Sequence, residues 1–473
     1  MKRSLLPVAT LCSLALCASS AFAGDAVDLD ALTRKTAKSL VLVEYTYKND
    51  NTVRQDEAQG IALNKDGVIA ISGSFISEGT PRDFIKDIKV RGPGKQFKEI
   101  PATFLGRTTD RLFAFVKADE PIDCEPLVPQ STAEVKLGTD VAAIALAGRL
   151  GGYEPYIGTN RVRSILPIGH NVALVGSFGL TRATSPVFDV QTGNMVGITV
   201  PPVSDTMTLS TVTADGRLAS QTVQLRDEDQ SSVFLPWSEV KEVFDNIPTK
   251  PFESHRPWIG LDSSGLAGVE EDVRKLYKID QPSAVTLGAL IQGSVAEKAG
   301  IQTKDIVLAV NGKEFSKSIV PEIMVSQFQR TLEQLKIGEP ATFTVLRDGE
   351  KKDIKVPVEA APKLASEMSH VVNAKLGVTT RDLVFYDTYA RKIPADTKGV
   401  IVALVKQGSP ASLGTTPLRA GYLVQKVNDE PVKDESEFAA QLTKATAADA
   451  SEVVFVVLLP SGDTQVCRID LSK

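Results

Sequence analysis

The sequence has few of the residues that build metal sites and disulfide frameworks. Among its 473 residues there are four cysteines and three histidines, His170, His255 and His370. No histidine has a second His, Cys or acidic residue at the spacing of a metal-ligand set, so the sequence predicts neither a zinc site nor another cofactor. Cys124 and Cys467 are far apart along the chain, which favours two separate buried thiols over a disulfide bridge.

Long apolar runs are absent beyond the N-terminus, and low-complexity tracts are absent throughout. The apolar stretch over residues 5–17 is too short to span a bilayer comfortably. It follows Lys2 and Arg3 and precedes Ala21-Phe22-Ala23, which is the pattern of a secretory signal peptide over residues 1–23. We expect cleavage after Ala23 and export of the mature chain. Lipoprotein processing at Cys17 is the alternative.

Basic charge is in deficit. Without Lys2 and Arg3, 51 of the 53 basic residues remain against 58 acidic ones, a net charge of −7. This balance argues against nucleic acid as the main partner. The chain is otherwise ordinary for a globular protein, with 42% hydrophobic and 23% charged residues. Its length suits about three domains.

The first domain, predicted over residues 24–250, is a succession of short strand-like segments separated by turns. The turn Asn64–Gly67 predicts one hairpin, and Gln191–Asn194 predicts another within the stretch 176–198. Such even spacing favours an all-β barrel or sandwich. The predicted strands cover residues 39–47, 60–63, 68–71, 88–90, 102–105, 112–116, 141–147, 162–166 and 172–175, and a closing helix covers 237–244 with Ser238 as its N-cap.

Several of these segments resemble the framework of trypsin-like serine proteases of the HtrA/Deg family. The hairpin Asn64-Lys65-Asp66-Gly67-Val68-Ile69 is similar to the one that leads to the family's general base. Leu105-Gly106 and Ala114-Phe115-Val116-Lys117 look like the segment that carries its aspartate, and Leu137-Gly138-Thr139-Asp140-Val141 resembles the start of its second barrel. The resemblance implies a mainly β fold, a trypsin-like double β-barrel.

The resemblance fails at the three catalytic positions. Counted in register, the base position holds Ser74, the acid position Leu112 and the nucleophile position Ala183. Asp110 comes two residues too early, and residues 182–185 (Arg-Ala-Thr-Ser) replace the Gly-rich run that forms the family's oxyanion hole. Losing the nucleophile or the base alone costs roughly a million-fold in turnover, so we expect no proteolysis.

A repurposed active site is the alternative. Thr184 and Ser185 supply hydroxyls in the same loop, and His170 belongs to the same barrel. His170 lies in Ile-Gly-His-Asn (168–171), which predicts a surface turn, and Ser185 precedes Pro186, where a hydroxyl more often caps a turn. The acidic stretch 226–230 is interpreted as a solvated loop because its spacing is not that of a calcium loop.

Beyond a linker at residues 247–257 the chain repeats itself. Residues 258–261 (Trp-Ile-Gly-Leu) match 375–378, residues 293–296 match 408–411, and residues 305–311 match 422–428, at offsets of 117, 115 and 117 residues. Offsets this constant predict two duplicated domains, over residues 256–360 and 371–473.

Each copy looks like a PDZ domain of the HtrA type. Such domains add an extended peptide to a sheet edge and capture its carboxylate with backbone amides of a Φ-Gly-Φ loop. The groove helices are predicted over residues 323–335 and 436–442. The candidate peptide-binding residues are Trp258, Ile259, Gly260, Leu261, Phe328 and Leu332 in the first copy, and Lys375, Leu376, Gly377, Val378, Phe438 and Leu442 in the second.

The resemblance as a whole implies an HtrA-like pseudoprotease of the periplasm or cell envelope. It would bind peptides or unfolded protein C-termini, or assemble with an active HtrA-like paralogue, and family analogy suggests a trimer. Two alternatives stay open. One is an active serine endopeptidase of envelope protein quality control with a non-standard site, and the other is a structural oligomeric scaffold.

Overall fold

The computed structural model describes residues 27–92, 98–127, 134–168, 170–176, 182–201, 206–212, 218–224, 232–245, 247–252, 256–262, 265–447 and 450–472. The predicted signal peptide, with Cys17 and the Ala23 cleavage site, lies outside these residues. His255 and the acidic stretch 226–230 also lie outside them.

The first barrel closes from six antiparallel strands in the order β1-β2-β3-β6-β5-β4. The barrel is preceded by a helix that the sequence did not predict, α1 (Leu29–Ala37). Asp28 caps this helix, since its carboxylate accepts hydrogen bonds from the amides of Asp30 and Ala31. The strands are β1 (Leu40–Lys48), β2 (Val53–Ala62), β3 (Val68–Ser72), β4 (Ile85–Arg91), β5 (Glu99–Arg107) and β6 (Phe113–Ala118).

Alternate side chains of β1 belong to two different hydrophobic cores. Val41 and Val43 fill the interior of the first barrel. Leu40 and Leu42 point the other way, into a second core that both barrels share. Because the side-chain period of a strand is two, one apolar strand can contribute to both cores.

The second barrel closes in the order β10-β11-β14-β9-β8-β7. Its strands are β7 (Asp140–Leu146), β8 (Pro155–Ile168), β9 (His170–Val175), β10 (Pro186–Asp189), β11 (Met195–Val200) and β14 (Val233–Pro236), with a separate ribbon of β12 (Thr206–Val212) and β13 (Leu218–Gln224). The predicted hairpin around Gln191–Asn194 is confirmed as β10–β11. The closing helix α2 (Trp237–Asp245) begins at Trp237, so Ser238 lies inside its first turn and the predicted N-cap was wrong.

Two PDZ-type units follow, each built on an antiparallel sheet. The first contains β15 (Pro257–Trp258), β16 (Leu266–Gly268), α3 (Glu271–Leu276), β17 (Val285–Leu287), α4 (Val295–Lys298), β18 (Ile306–Val310), β19 (Lys313–Glu314), α5 (Pro321–Glu333), β20 (Ala341–Arg347), β21 (Glu350–Val356) and β22 (Glu359–Ala360). The second contains β23 (Val371–Asn373), β24 (Val378–Asp382), α6 (Phe385–Arg391), β25 (Val400–Val405), β26 (Leu423–Val427), β27 (Glu430–Pro431), α7 (Glu435–Ala445), β28 (Glu452–Leu458) and β29 (Thr464–Asp470).

Each unit contains an antiparallel sheet and one long helix, α5 in the first unit and α7 in the second. The groove helices begin earlier than predicted, at Pro321 and Glu435, because Pro321 suits a first helical position and Asp434 caps α7 by accepting from the Glu437 amide.

Cys124 and Cys467 are separate, free and buried, as predicted. Within the described part of the chain, no helix has the length and apolar character needed to cross a membrane.

Gln59 joins the two barrels. It lies on β2 and is 3% exposed. Its Nε2 donates to the Thr184 carbonyl and to the Ser185 Oγ, both at 3.0 Å, and its Oε1 accepts from the Leu146 amide at 2.6 Å. One amide side chain of the first barrel therefore satisfies three polar groups of the second.

Replacing Gln59 with Ala should destabilise the double barrel by about 2–3 kcal/mol, because the amide of Leu146 and the carbonyl of Thr184 lose their buried partner. Urea unfolding of the full chain measures this change. Gln55→Ala is the matched control, since Gln55 lies exposed on the same strand. Equal midpoints for the two variants would contradict the assigned role.

Candidate functional site

The predicted base and acid positions lie side by side. The Gly73 amide donates to the Leu112 carbonyl at 2.9 Å, which extends the β3–β6 pairing by one residue to the edge of Ser74. The strands approach closely there, since a Cβ on Gly73 would lie 2.0 Å from the Arg111 carbonyl oxygen. Ser74 is exposed and its Oγ lies 2.9 Å from that of Ser72. The pair offers a hydroxyl and an isobutyl group, and neither accepts a proton near neutral pH.

The predicted nucleophile position, Ala183, lies in the loop that leads into β10 of the second barrel. The next residue, Thr184, adopts a left-handed conformation with φ +64°. Its amide donates to the Thr199 carbonyl at 2.8 Å, and the Ser185 amide donates to the Thr199 Oγ1 at 2.8 Å. These two amides are engaged inside the barrel, so they are not available as oxyanion donors in this conformation.

The hydroxyls considered for a repurposed site are buried. Thr184 is 1% exposed and Ser185 is fully buried. The Ser185 Oγ donates to the Arg182 carbonyl at 2.8 Å and accepts from Gln59. Its hydroxyl is therefore a structural group of the barrel junction.

His170 is not in a surface turn, so that prediction was wrong. It begins β9 and is 6% exposed. Its Nε2 lies 2.9 Å from the Asp110 Oδ2 and its Nδ1 lies 3.1 Å from the Glu239 Oε2. Both ring nitrogens face carboxylates, so neither is left to take a proton from a hydroxyl. The pairing instead favours a doubly protonated ring.

Asp110 joins this cluster to the first PDZ-type unit. Its Oδ1 accepts from the Leu112 amide at 3.0 Å, and its Oδ2 lies 3.3 Å from the Nη1 of Arg330 on α5. Asp110 and Arg330 are both largely buried. One helical turn before Arg330, the Gln327 Nε2 donates to the Pro167 carbonyl at 3.2 Å. The groove helix of the first PDZ-type unit therefore packs on the double barrel.

Charge compensation decides the pKa values in this cluster. Burial alone would lower the pKa of His170, but hydrogen bonds to Asp110 and Glu239 outweigh it and raise the pKa. Burial alone would raise the pKa of Asp110, but hydrogen bonds from His170, Thr108 and the Leu112 amide lower it. Glu333, one turn after Arg330, is the exception, because burial and then the charge of Asp110 raise its pKa to about 7.

In the first PDZ-type unit the predicted loop has the expected backbone. Gly260 has φ +81°, and a Cβ there would lie 2.1 Å from the Ser294 Cβ. The strand after the loop, β16, pairs with β17 along one edge and ends the sheet. Of the candidate groove residues, Trp258, Leu261 and Leu332 are half-buried, whereas Ile259 and Phe328 belong to the core.

The second PDZ-type unit differs at the same strand. β24 pairs with β25 along one edge and with β23 along the other, the latter from Val371↔Thr380 to Asn373↔Val378. The chain therefore occupies the edge that a bound peptide would extend. Gly377 repeats the geometry of Gly260, with φ +71° and a Cβ position 2.2 Å from the Ser409 Cβ.

The remaining candidate residues of the second unit are placed as follows. Leu376, Val378, Phe438 and Leu442 lie in its hydrophobic core. The Lys375 Nζ donates to the Thr446 carbonyl at 2.5 Å, which joins the loop to the end of α7. Among the described residues, no group of three or more His, Cys, Asp or Glu side chains could hold a metal ion.

The histidine titrations test the cluster. His170 should titrate above its ordinary value of 6.5 and His370 below it, because burial dominates at His370. Since the folded pKa of His170 is the higher one, its stabilising effect is complete below pH 6.5 and is lost as the pH rises through the folded value. Proton NMR of the ring protons, assigned with His170→Gln and His370→Gln, measures both. A value below 6.5 for His170 would rule out the doubly protonated ring.

Glu333 predicts a pH-dependent penalty. Its folded pKa of about 7 exceeds the ordinary 4.5, so the folded chain holds the extra proton between these values and the free energy of unfolding falls as pH rises through them. Glu333→Gln should therefore be more stabilising at pH 8 than at pH 5 in urea unfolding. The exposed Glu339→Gln serves as control, and a gain independent of pH would contradict the buried carboxyl.

The chain is similar in sequence to periplasmic proteases over part of its length. A probable periplasmic serine endoprotease DegP-like of Ectopseudomonas mendocina (strain ymp) is 28% identical over 193 residues, which are 39% of this chain and 37% of the relative. The protein of the same name from Chlamydia trachomatis serovar D is 27% identical over 173 residues, 36% of this chain and 32% of the relative. The chain thus spans less than two fifths of the length of these curated relatives.

The fold is similar over a larger part. A family model described as a PDZ domain matches residues 271–358, in the first PDZ-type unit. The structure of the HtrA-type protease AlgW with decapeptide aligns at a TM-score of 0.50 and 13% identity, covering 72% of this chain and 100% of that one. In fold, the chain is therefore HtrA/DegP-like, a trypsin-type double barrel followed by PDZ-type domains.

Proposed function

We propose that the chain is a pseudoprotease of the HtrA type, exported to the periplasm, that binds peptides or the C-termini of unfolded proteins without cleaving them. The observation that carries this proposal is the chemistry at the three framework positions. Ser74, Leu112 and Ala183 supply no base, no orienting carboxylate and no nucleophile.

The neighbouring groups do not supply substitutes. Ser185 is buried and hydrogen-bonded within the barrel, and both ring nitrogens of His170 face carboxylates. A serine nucleophile needs a hydroxyl with a free base beside it. The alternative of an active endopeptidase would therefore need Ser185 and the loop of Ala183 to rearrange.

Peptide binding is proposed chiefly for the first PDZ-type unit. Gly260 in its loop has a left-handed backbone, and among the strands that the structure describes one edge of β16 has no partner. In the second unit β23 occupies that edge, so binding there requires β23 to leave. The proposed partners are peptides, unfolded proteins and an HtrA-like paralogue, with a trimer suggested by analogy alone.

Purified mature protein should release no fragments from unfolded casein, because its site has no nucleophile or base. Gel electrophoresis, and the fluorescence of labelled casein, measure the release of fragments. The Ser185→Ala variant, purified in the same way, controls for a contaminating protease. Cleavage by the natural chain that disappears in Ser185→Ala would establish the active-endopeptidase alternative and overturn the proposal.

A matched pair of glycine variants tests the binding. Gly260→Ala should weaken the binding of free C-terminal peptides at least tenfold in calorimetry, because a Cβ there collides with Ser294 in a left-handed turn. Gly377→Ala introduces the same collision with Ser409 in the second unit and should leave binding unchanged. C-terminally amidated peptides, which lack the free carboxylate, should bind weakly to both variants. No binding of any peptide at millimolar concentration would favour the scaffold alternative.

A further inference from the structure

A cavity of about 400 Å³ lies where the first barrel, the linker after α2, the end of α5 and the segment between the PDZ-type units meet. Small-molecule sites are commonly of about 300–1,000 Å³ and often lie at such junctions. Thr108, Thr109, Asp110 and Arg111 line the cavity, whereas the predicted base and acid positions, Ser74 and Leu112, do not.

The wall of this cavity has one more arginine than it has carboxyl groups. Five arginines line it, Arg82, Arg107, Arg111, Arg256 and Arg330, against four carboxyl groups, Glu78, Asp110, Glu333 and Glu367. Three of the carboxylates pair with four of the arginines. The closest pairs are Arg111–Glu78 at 2.9 Å, Arg256–Glu367 at 3.1 Å, Arg330–Asp110 at 3.3 Å and Arg82–Glu367 at 3.6 Å.

Arg107 is the fifth arginine, and it forms no ion pair with any residue that the structure describes. Its Nη2 donates to the Ile76 carbonyl, and its Nε is buried without a hydrogen-bond partner. Burial lowers the pKa of Arg107, which reflects this incomplete compensation. A buried charge without a counter-charge is costly, so an anion brought beside Arg107 would be stabilised.

The uncharged part of the wall is mixed, with the polar residues Thr80, Thr108, Thr109, Gln334 and Ser366 beside an apolar part that includes Phe104 and Phe252. The Arg107 guanidinium carbon lies 5.3 Å from the ring centroid of Phe104, and that of Arg82 lies 5.1 Å from Phe252. These rings lie 5.3 Å apart, centroid to centroid. The two guanidinium groups lie over these rings and Phe104 is 3% exposed, so a bound molecule would meet mainly the half-buried Phe252 beside the arginines.

We propose that this cavity binds a small organic carboxylate with an apolar body, its carboxylate paired with Arg107 and its body against Phe104 and Phe252. A guanidinium matches the two oxygens of a carboxylate with two parallel hydrogen bonds. The apolar body distinguishes this ligand class from a bare inorganic anion. The proposal is independent of the proposed function, because the Gly260 loop takes no part in it.

Glu333 opposes such a ligand. Its carboxyl lines the same cavity and carries more negative charge as the pH rises. The charged groups that bear on it are Asp110, Arg111, Arg330 and His170, and the other charged groups of the wall are Glu78, Glu367, Arg82, Arg107 and Arg256. Because Asp110 is compensated by His170 and Arg330, Glu333 is the group whose charge competes with the ligand.

Calorimetry of the full mature chain with benzoate and octanoate tests the proposal, with benzyl alcohol, octanol and inorganic phosphate as matched probes. The carboxylates should bind, and the alcohols and phosphate should bind at least tenfold more weakly. Arg107→Gln should weaken benzoate binding at least tenfold, since it removes a charge-assisted hydrogen bond. Glu333→Gln should strengthen benzoate binding several-fold at pH 8 and little at pH 5.

The two variants change affinity in opposite directions, so a general loss of folding cannot imitate the result. Arg161→Gln, an exposed arginine paired with Asp140, is the control and should bind as the natural chain does. Gly260→Ala should also leave benzoate binding intact, which separates this outcome from failure of the proposed function. Equal affinity for benzoate in Arg107→Gln and the natural chain would overturn the proposal. Binding of phosphate alone, or of peptide C-termini alone, would overturn it too.

Discussion

The arrangement of the folded units depends on the compensation of one buried carboxylate. Asp110 belongs to the first barrel, its partner His170 begins a strand of the second, and Arg330 comes from the first PDZ-type unit. Glu239 on α2 pairs with the other ring nitrogen, Nδ1. A buried carboxylate without these partners would be strongly destabilising, so the three elements must come together for Asp110 to stay ionised.

Local sequence was sufficient to predict the frame but not this network. The hairpin of β10 and β11 follows from apolar residues on either side of a Gly-containing turn, which is a short-range regularity. The adjacency of Ser74 and Leu112 comes from the pairing of β3 with β6, which are distant in sequence. His170 was mistaken for a turn residue because Gly169 and Asn171 flank it and its partners lie 60 and 69 residues away. Burial among distant partners leaves no periodic signal in a single sequence.

The same limit applies to the repeated half of the chain. The offsets between the copies predicted two equal modules, and their folds agree. Their peptide edges do not, because β23 pairs with β24 in the second unit, whereas β15 pairs with the distant β22 in the first. The sequence motif of the loop is the same in both copies, with Gly260 and Gly377 in similar conformations. What differs is the path of the preceding strand, which the loop motif does not encode.

The second unit also contacts the loop of the first. The Tyr389 hydroxyl on α6 donates to the Asp262 carboxylate at 2.7 Å, directly after the loop, and the ring of Phe385 lies 6.0 Å from that of Trp258. Aromatic pairs at this distance add modestly to burial, and the hydrogen bond joins two half-exposed groups. A peptide that reached the Gly260 loop would therefore meet residues of the second unit as well as those of the first.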